Sequence, residues 1–330
     1  MMRKPCRHRR YVDLRLTFLL LAVTICAPVT AQPEGGAEPE LSFSDPGWIQ
    51  SALDNTSEWQ ELKRSLENLK ADQTARIVDQ LNLSSGTPVQ LVNQCWSDYR
   101  CETLEQAAKL AATGLDWDLF KSAHNRIYPV VEAYSSAVDA SLQVGSSVSN
   151  SKSDQLVSLF IAAQALRAGR SILMVQAGQD LPEAEQNLLR SLLVLETIPI
   201  DAKATSLAKD VIAETGWPKN SAMTDAQEQA LFMAVQHSDR DPAFQVAVLA
   251  EMHDNLNSGA VERRQIAYLS DRVSSALYQT QVYGTQRPMC DNGRVSADGL
   301  QDVDNVDMRR ADMGLPPLSD YASTMGIQCD

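Results

Sequence analysis

Helix breakers are scarce in this chain: Gly and Pro number 15 and 14 among 330 residues, about 9% against the roughly 12% of average usage. A body so poor in them leans helical. Basic residues are scarce as well, with 29 Lys+Arg against 42 Asp+Glu and a formal net charge of −13. That excess of acid argues against nucleic acid as a partner, because phosphate affinity rests on counterions released at Lys/Arg clusters. No C-x-x-C pair occurs, which disfavours a four-cysteine zinc site. No G-x-S-x-G elbow marks a hydrolase nucleophile. No repeat is strong enough to define a helical array. Long apolar runs are missing too: Leu16 to Ala27 is the longest near the N-terminus, well short of the ~20 residues that span a bilayer.

That short run has a different reading. Arg3, Lys4, Arg7, Arg9, Arg10 and Arg15 precede it or open it, and Val29-Thr30-Ala31 offers small residues at a cleavage site. The pattern predicts a signal peptide over 1–31, cut after Ala31, with an uncleaved anchor as the rival. Its removal takes away six basic residues and one acid, Asp13, leaving 23 basic and 41 acidic residues and a net charge of −18. The expected location is periplasmic or secreted, without stable membrane insertion after cleavage. Four cysteines would remain: Cys95, Cys101, Cys290 and Cys329. An even count in an oxidising compartment predicts two disulfides, and the sequence-local pairing Cys95–Cys101 with Cys290–Cys329 is preferred among three connectivities.

The fold class expected is mainly α: a multi-helix orthogonal or antiparallel bundle with a small C-terminal β-hairpin. Residues 32–46 read as a flexible linker, 47–196 as an N-terminal helical region and 197–330 as a C-terminal domain. In the first region Trp59, Leu62, Leu66 and Leu69 form one apolar stripe. A long helix is expected from about Asp116 to Leu142, kinked at Pro129. Gly145–Ser153 is polar and small and reads as an internal linker. Helices follow near 154–177 and 182–197, and Asp201 is placed to cap another that ends at Gly216.

The polar motifs gather in the last third. Thr224-x-x-Gln227 is a capping box, and the helix it opens carries His237 on its apolar stripe near the C-terminus. The helix dipole would favour a protonated ring there and burial would oppose it. Asp241-Pro242 is a helix start with Asp as N-cap. A further helix, about Glu262–Leu277, has Ile266, Leu269, Val273 and Ala276 as its core stripe and carries Asp271 and Arg272 on different faces. Gln281 to Gln286 alternates like a short strand, Asp291-Asn292-Gly293 signals a turn, and Arg294-Val295 would return. Helices at Val306–Met313 and Leu318–Met325 would stop at Gly314 and Gly326.

Several of these motifs recur in order: Gly216-Trp217-Pro218; Gln236-His237-Ser238-Asp239-x-Asp241-Pro242-x-Phe244-Gln245; Ala267-Tyr268-Leu269-x-Asp271-Arg272; Gln281-x-Tyr283-Gly284-Thr285-Gln286; and Arg309-Arg310 followed by Gly314-Leu315-x-Pro317-Leu318. On them, the stretch from about 197 to 325 resembles an uncharacterised bacterial domain family. The resemblance implies a domain with polar signature residues and carries no activity.

Two classes of function stay open. In an envelope enzyme of hydrolytic or acid–base type, His237 is the general acid/base and Asp239, Asp241 or Asp271 orients its far ring nitrogen. Gln236, Arg272, Gln281, Tyr283 and Gln286 would then bind substrate or a developing oxyanion, with Ser238 and Thr285 the available hydroxyls. In a non-catalytic ligand-binding or interaction module, the same residues present donors and acceptors, or tie helices together. No cofactor and no metal is expected. His237-x-Asp239-x-Asp241 is a weak ligand set because Asp241 is spent as a cap, and Asp298, Asp302, Asp304 and Asp307 fail calcium-loop spacing. The partner would be an unidentified small molecule or protein.

Overall fold

The computed structural model describes parts of 64–81 and residues 117–148, 151–176, 181–217, 223–256 and 261–329. The expected signal segment, the linker at 32–46, the Trp59 stripe and the Cys95–Cys101 pair lie outside the described residues. After a helical segment around 74–80, the elements are α1 (Trp117–Val148), α2 (Lys152–Gln176), α3 (Glu183–Thr215), α4 (Asp225–Gln236), α5 (Pro242–Asp254) and α6 (Arg263–Tyr278). A hairpin of β1 (Pro288–Asp291) and β2 (Arg294–Ala297) follows, then α7 (Val306–Asp312) and α8 (Leu318–Thr324). The chain is mainly helical with a small antiparallel hairpin, as its composition and spacing predict.

The three long helices α1, α2 and α3 pack on one another, α4 lies against α2 and α3, and α5 and α6 complete the body. One apolar core runs through them, from Ile127 and Val131 through Leu156, Leu166, Leu189 and Leu192 to Leu231, Val235, Met252, Ile266 and Leu269. Two glycines set how closely the long helices approach. A Cβ on Gly145 would lie 2.8 Å from Ser158 Oγ, and one on Gly169 would lie 2.7 Å from the Tyr134 ring. The expected linker at 145–153 is instead helical up to Val148 and again from Lys152. Gly145 serves a tight crossing of α1 on α2.

A second departure is α3. The sequence suggests a break near 197 and a fresh start at Asp201, yet the helix passes through Pro199 without interruption. Pro199 is exposed while Ile198 and Ile200 are buried, so core contacts on both sides hold the helix across the lost hydrogen bond. Asp201 is therefore an interior helix residue and caps nothing.

Other local readings hold. Thr224 and Gln227 form both bonds of the capping box, and Asp241 Oδ1 accepts from Phe244 N at 3.0 Å with Pro242 in the first turn. The hairpin turns on Asn292 and Gly293, with φ of 49° and 73°, and pairs Asp291 with Arg294. Two successive positive φ values define the tight turn that Asn-Gly favours. Gln281–Gln286 forms no strand of this hairpin: the paired strand begins at Pro288, and Gln281 makes only a lone parallel bridge to Leu300. Its backbone N–H groups are taken by side chains, as described below.

Cys290 on β1 bonds Cys329, pinning the tail to the hairpin as expected. It closes a loop with a sequence separation of 39. Replacing both cysteines by serine should lower unfolding stability by about 2–4 kcal/mol. Denaturant unfolding of the oxidised parent and the double variant checks this; equal midpoints would contradict it.

Candidate functional site

Two polar clusters meet at α6, one on each of two adjacent residues. Asp271 is fully buried and faces the segment after the helix. Its Oδ1 accepts from Val282 N at 2.7 Å and Tyr283 N at 3.1 Å, and its Oδ2 accepts from Thr285 N at 2.9 Å. Gln281, also fully buried, donates to Gln286 O at 2.9 Å and Asp298 O at 2.6 Å, while its Oε1 accepts from Gln286 N at 2.8 Å. The carbonyls of the same segment are held from the other side. Arg309 Nε donates to Val282 O at 2.9 Å, Arg310 Nη1 to Tyr283 O at 2.6 Å, and the Tyr321 hydroxyl to Thr285 O at 2.9 Å. Gly284 sits at φ 65°, with the Leu318 side chain 3.1 Å from where a Cβ would lie. A loop is thus fastened by carboxylate, amide, guanidinium and phenol together, because no β-ladder supplies its hydrogen bonds.

This assigns many signature residues to construction. Asp271 and Gln281 have their polar atoms filled by backbone. Arg310 is fully buried, donates to Pro316 O and Tyr283 O, and lies 5.1 Å over the Tyr321 ring, with no hydrogen bond to Asp307 or Asp312 among the described residues. Asp307 instead accepts from Leu318 N at 2.8 Å, at the start of α8. Gly216 and Trp217 serve the body. Trp217 is buried with its N–H on Glu251 Oε1 at 2.6 Å, and a Cβ on Gly216 would lie 2.9 Å from that same oxygen.

The second cluster gathers around Arg272. Its Nε donates to Asp239 Oδ1 at 2.7 Å and its Nη2 to Asp239 Oδ2, a bidentate pair. Nη1 donates to Gln286 Oε1 at 3.2 Å, and Nη2 also lies 3.2 Å from His237 Nδ1. A guanidinium has no acceptor, so Nδ1 is the acceptor here. The ring is therefore neutral with its proton on Nε2. Burial, then the charges of Arg167 and Arg272, push the His237 pKa down to about 3, outweighing the pull of Asp239. Burial also pushes the Asp239 carboxyl up, but the charge and hydrogen bonds of Arg272 prevail and hold it below the usual carboxylate range.

The fastened loop and the cluster are joined through Gln286. It accepts from Arg272 with its Oε1 and donates from Nε2 to Thr285 Oγ1 at 3.0 Å. Behind His237, Arg167 of α2 grips Asp201 of α3 with bonds of 2.8 and 2.7 Å to the two carboxylate oxygens. His237, Asp239, Arg240, Arg272, Arg167 and Asp201 are all only partly buried, so the cluster reaches the surface.

The expected site residues thus divide. His237, Asp239, Arg272 and Gln286 come together. Asp271, Gln281 and the Tyr283 backbone belong to the loop's fastening. Gln236 is buried and donates to Tyr268 O at 3.4 Å. Asp239 grips Arg272 rather than a ring nitrogen of His237, and Asp241 caps α5 and pairs with Lys209. The three residues of the weak His237-x-Asp239-x-Asp241 ligand set therefore point to different partners. Neither hydroxyl is poised as a nucleophile. Ser238 is buried, donates to Ala234 O at 2.7 Å and lies 3.0 Å from Thr205 Oγ1; Thr285 is buried beneath Gln286. Arg167 and Asp201 escape a sequence reading because 34 residues separate them. Arg240 escapes it too, as the unspecified position between Asp239 and Asp241.

The architecture is that of a mainly helical module whose polar corner is braced by a side-chain-fastened loop. The chain belongs to a family of unknown function, DUF6624, whose model matches residues 152–327. The match begins at the start of α2, so it takes in the Arg167–Asp201 pair as well as the C-terminal motifs. No curated protein and no solved structure matches the chain. Among the described residues no helix is long and apolar enough to cross a membrane.

Proposed function

We propose that this protein is a ligand-binding module of the cell envelope, with His237 as a fixed hydrogen-bond donor and not as a general acid/base. The observation that carries the reading is the contact between Arg272 Nη2 and His237 Nδ1. A general base near neutrality needs a ring that titrates near the working pH and a nitrogen free to take a proton. Here one nitrogen is filled by a cation, and the ring's pKa is pushed down to about 3. What the ring offers instead is an Nε2–H whose direction is set by the Arg272 contact. Asp239 and Gln286 hold that guanidinium in place, so the donor is pre-organised. The envelope location is supported by the basic segment and apolar run of residues 1–31 and by the Cys290–Cys329 disulfide.

A screen of small polar metabolites, read by mass spectrometry of what the protein retains, tests this. The expected result is a compound retained unchanged by the parent and lost by His237→Gln at equal melting temperature. A compound that the parent converts, with conversion abolished in His237→Gln, would overturn the binding reading in favour of an enzyme.

A further inference from the structure

Hydrogen-bond capacity in the His237 corner is unbalanced. Its carboxylate oxygens are each engaged by an arginine. Both carboxylate oxygens of Asp239 take Arg272, both of Asp201 take Arg167, and Gln286 Oε1 takes Arg272. Its donors are not all engaged. His237 Nε2–H has no partner among the described residues. Neither has Arg240, which makes no hydrogen bond or ion pair there although its Nε is buried.

Arg240 occupies the tip of a turn closed by Asp241 N donating to Ser238 O at 2.8 Å. That turn holds it three residues from His237, beside Asp239, and within electrostatic reach of Asp201. A buried guanidinium nitrogen without an acceptor is costly, since its lost hydration is not replaced. Such a group persists where something else supplies the acceptor. Formal charge points the same way. Arg167, Arg240 and Arg272 stand against Asp201 and Asp239, which leaves one positive charge in a chain whose net charge is −13.

We infer that this corner binds a small oxyanion, a carboxylate or a phosphate group, between the Arg240 guanidinium and the Nε2–H of His237. The inference rests on the proposed binding role and names its ligand class. Arg272 lies one layer further back. Its bonds go to Asp239, Gln286 and His237, so it aims the ring and does not meet the ligand. One negative charge suffices to neutralise the corner, so a carboxylate satisfies it fully. A phosphate group brings the same acceptor geometry with more charge. An acidic protein surface around a single positive corner also disfavours polyanions such as nucleic acid, whose further charges would be repelled.

The test uses the full chain with acetate, inorganic phosphate and chloride as probes. Nitrogen-15 spectra follow the Arg240 Nε–H and the His237 ring during titration, alongside the melting temperature. The expected result is a saturable shift of both groups with acetate or phosphate, and none with chloride. Which oxyanion binds more tightly separates a carboxylate ligand from a phosphate one. Arg240→Gln should weaken the tighter oxyanion by about tenfold or more. The free variant should melt close to the parent, because Arg240 makes no hydrogen bond or ion pair among the described residues. Arg240→Lys keeps the charge without the planar fork and should bind with intermediate strength.

Absence of any saturable oxyanion shift, or chloride binding as tightly as either oxyanion, would overturn the inference. So would unchanged affinity in Arg240→Gln. These failures are separable from failure of the binding reading itself. If the ring is neutral with its proton on Nε2 and no oxyanion binds, only the ligand class is wrong. If the ring titrates near neutrality, the underlying reading is wrong.

Discussion

Asp271→Ala should cost at least about 4 kcal/mol of unfolding stability, an effect of the size seen when a buried polar network is broken. The substitution removes the acceptor for three backbone N–H groups at once, those of Val282, Tyr283 and Thr285. Thr285 is buried, so water would not readily replace the lost carboxylate at its N–H. The charge of Arg310, fully buried nearby, would also lose an anionic neighbour. Asp271→Asn is the informative control. It keeps the acceptor facing Val282 and Tyr283 but turns an amide NH2 toward Thr285 N, so about half the loss is expected. Because Gln286 hangs from this loop, both variants should also disturb the Arg272 environment in NMR spectra. A surface role for Asp271 would give a change below about 0.5 kcal/mol in both, and that outcome would refute the assignment.

Arg272→Gln should have the second largest effect, and it has two parts. Removing one partner of a bidentate pair leaves Asp239 uncompensated. Because Asp239 is partly exposed, the expected loss is about 2–3 kcal/mol, below the figure for a fully buried pair. The second part concerns His237. In the parent, the folded-state pKa lies well below the ordinary 6.5. The folded protein thus binds fewer protons than the unfolded chain at mildly acid pH. The stability from keeping the ring neutral is fully present above about pH 6.5 and is lost progressively as pH falls from there toward about 3. In Arg272→Gln one of two repelling cations is gone, burial and Arg167 remain, and Asp239 is free to attract a protonated ring. The His237 pKa should rise part of the way, and the acid loss of stability over that window should shrink. Urea unfolding across that pH range, compared between parent and variant, reads both parts. Parallel curves would show that Arg272 does not govern the ring.

Much of the fold was legible because its signals are local. Thr224 with Gln227, Asp241 with Pro242, and Asn292 with Gly293 each fix a backbone state within four residues, and each reading holds. The readings that failed needed partners distant in sequence. Gly145 looks like a linker residue until Ser158 of the next helix is placed against it. Asp201 looks like a cap until Arg167 is found 34 residues away. Pro199 looks like a break, yet the core on either side holds the helix.

The site was legible in part, for a related reason. A buried polar side chain that binds a ligand and one that fastens a loop have the same chemistry. Gln281, Asp271 and Tyr283 read as recognition residues because their types suit recognition. Only the positions of the backbone groups at 282–286 reveal that the carboxylate and amide are already occupied. Conversely, His237 and Asp239 read as an acid–base pair because Arg272 lies 33 residues beyond Asp239, and a sequence does not show a guanidinium inserted between them.

The central claim is that burial and the charges of Arg167 and Arg272 keep His237 neutral while Arg272 fixes its proton on Nε2, and its most direct test is the nitrogen-15 shifts of that imidazole. The account predicts one pyridine-like signal from Nδ1 and one pyrrole-like signal from Nε2, unchanged between about pH 8 and pH 5 in the parent. A ring that titrates near pH 6.5, or that carries its proton on Nδ1, would contradict it.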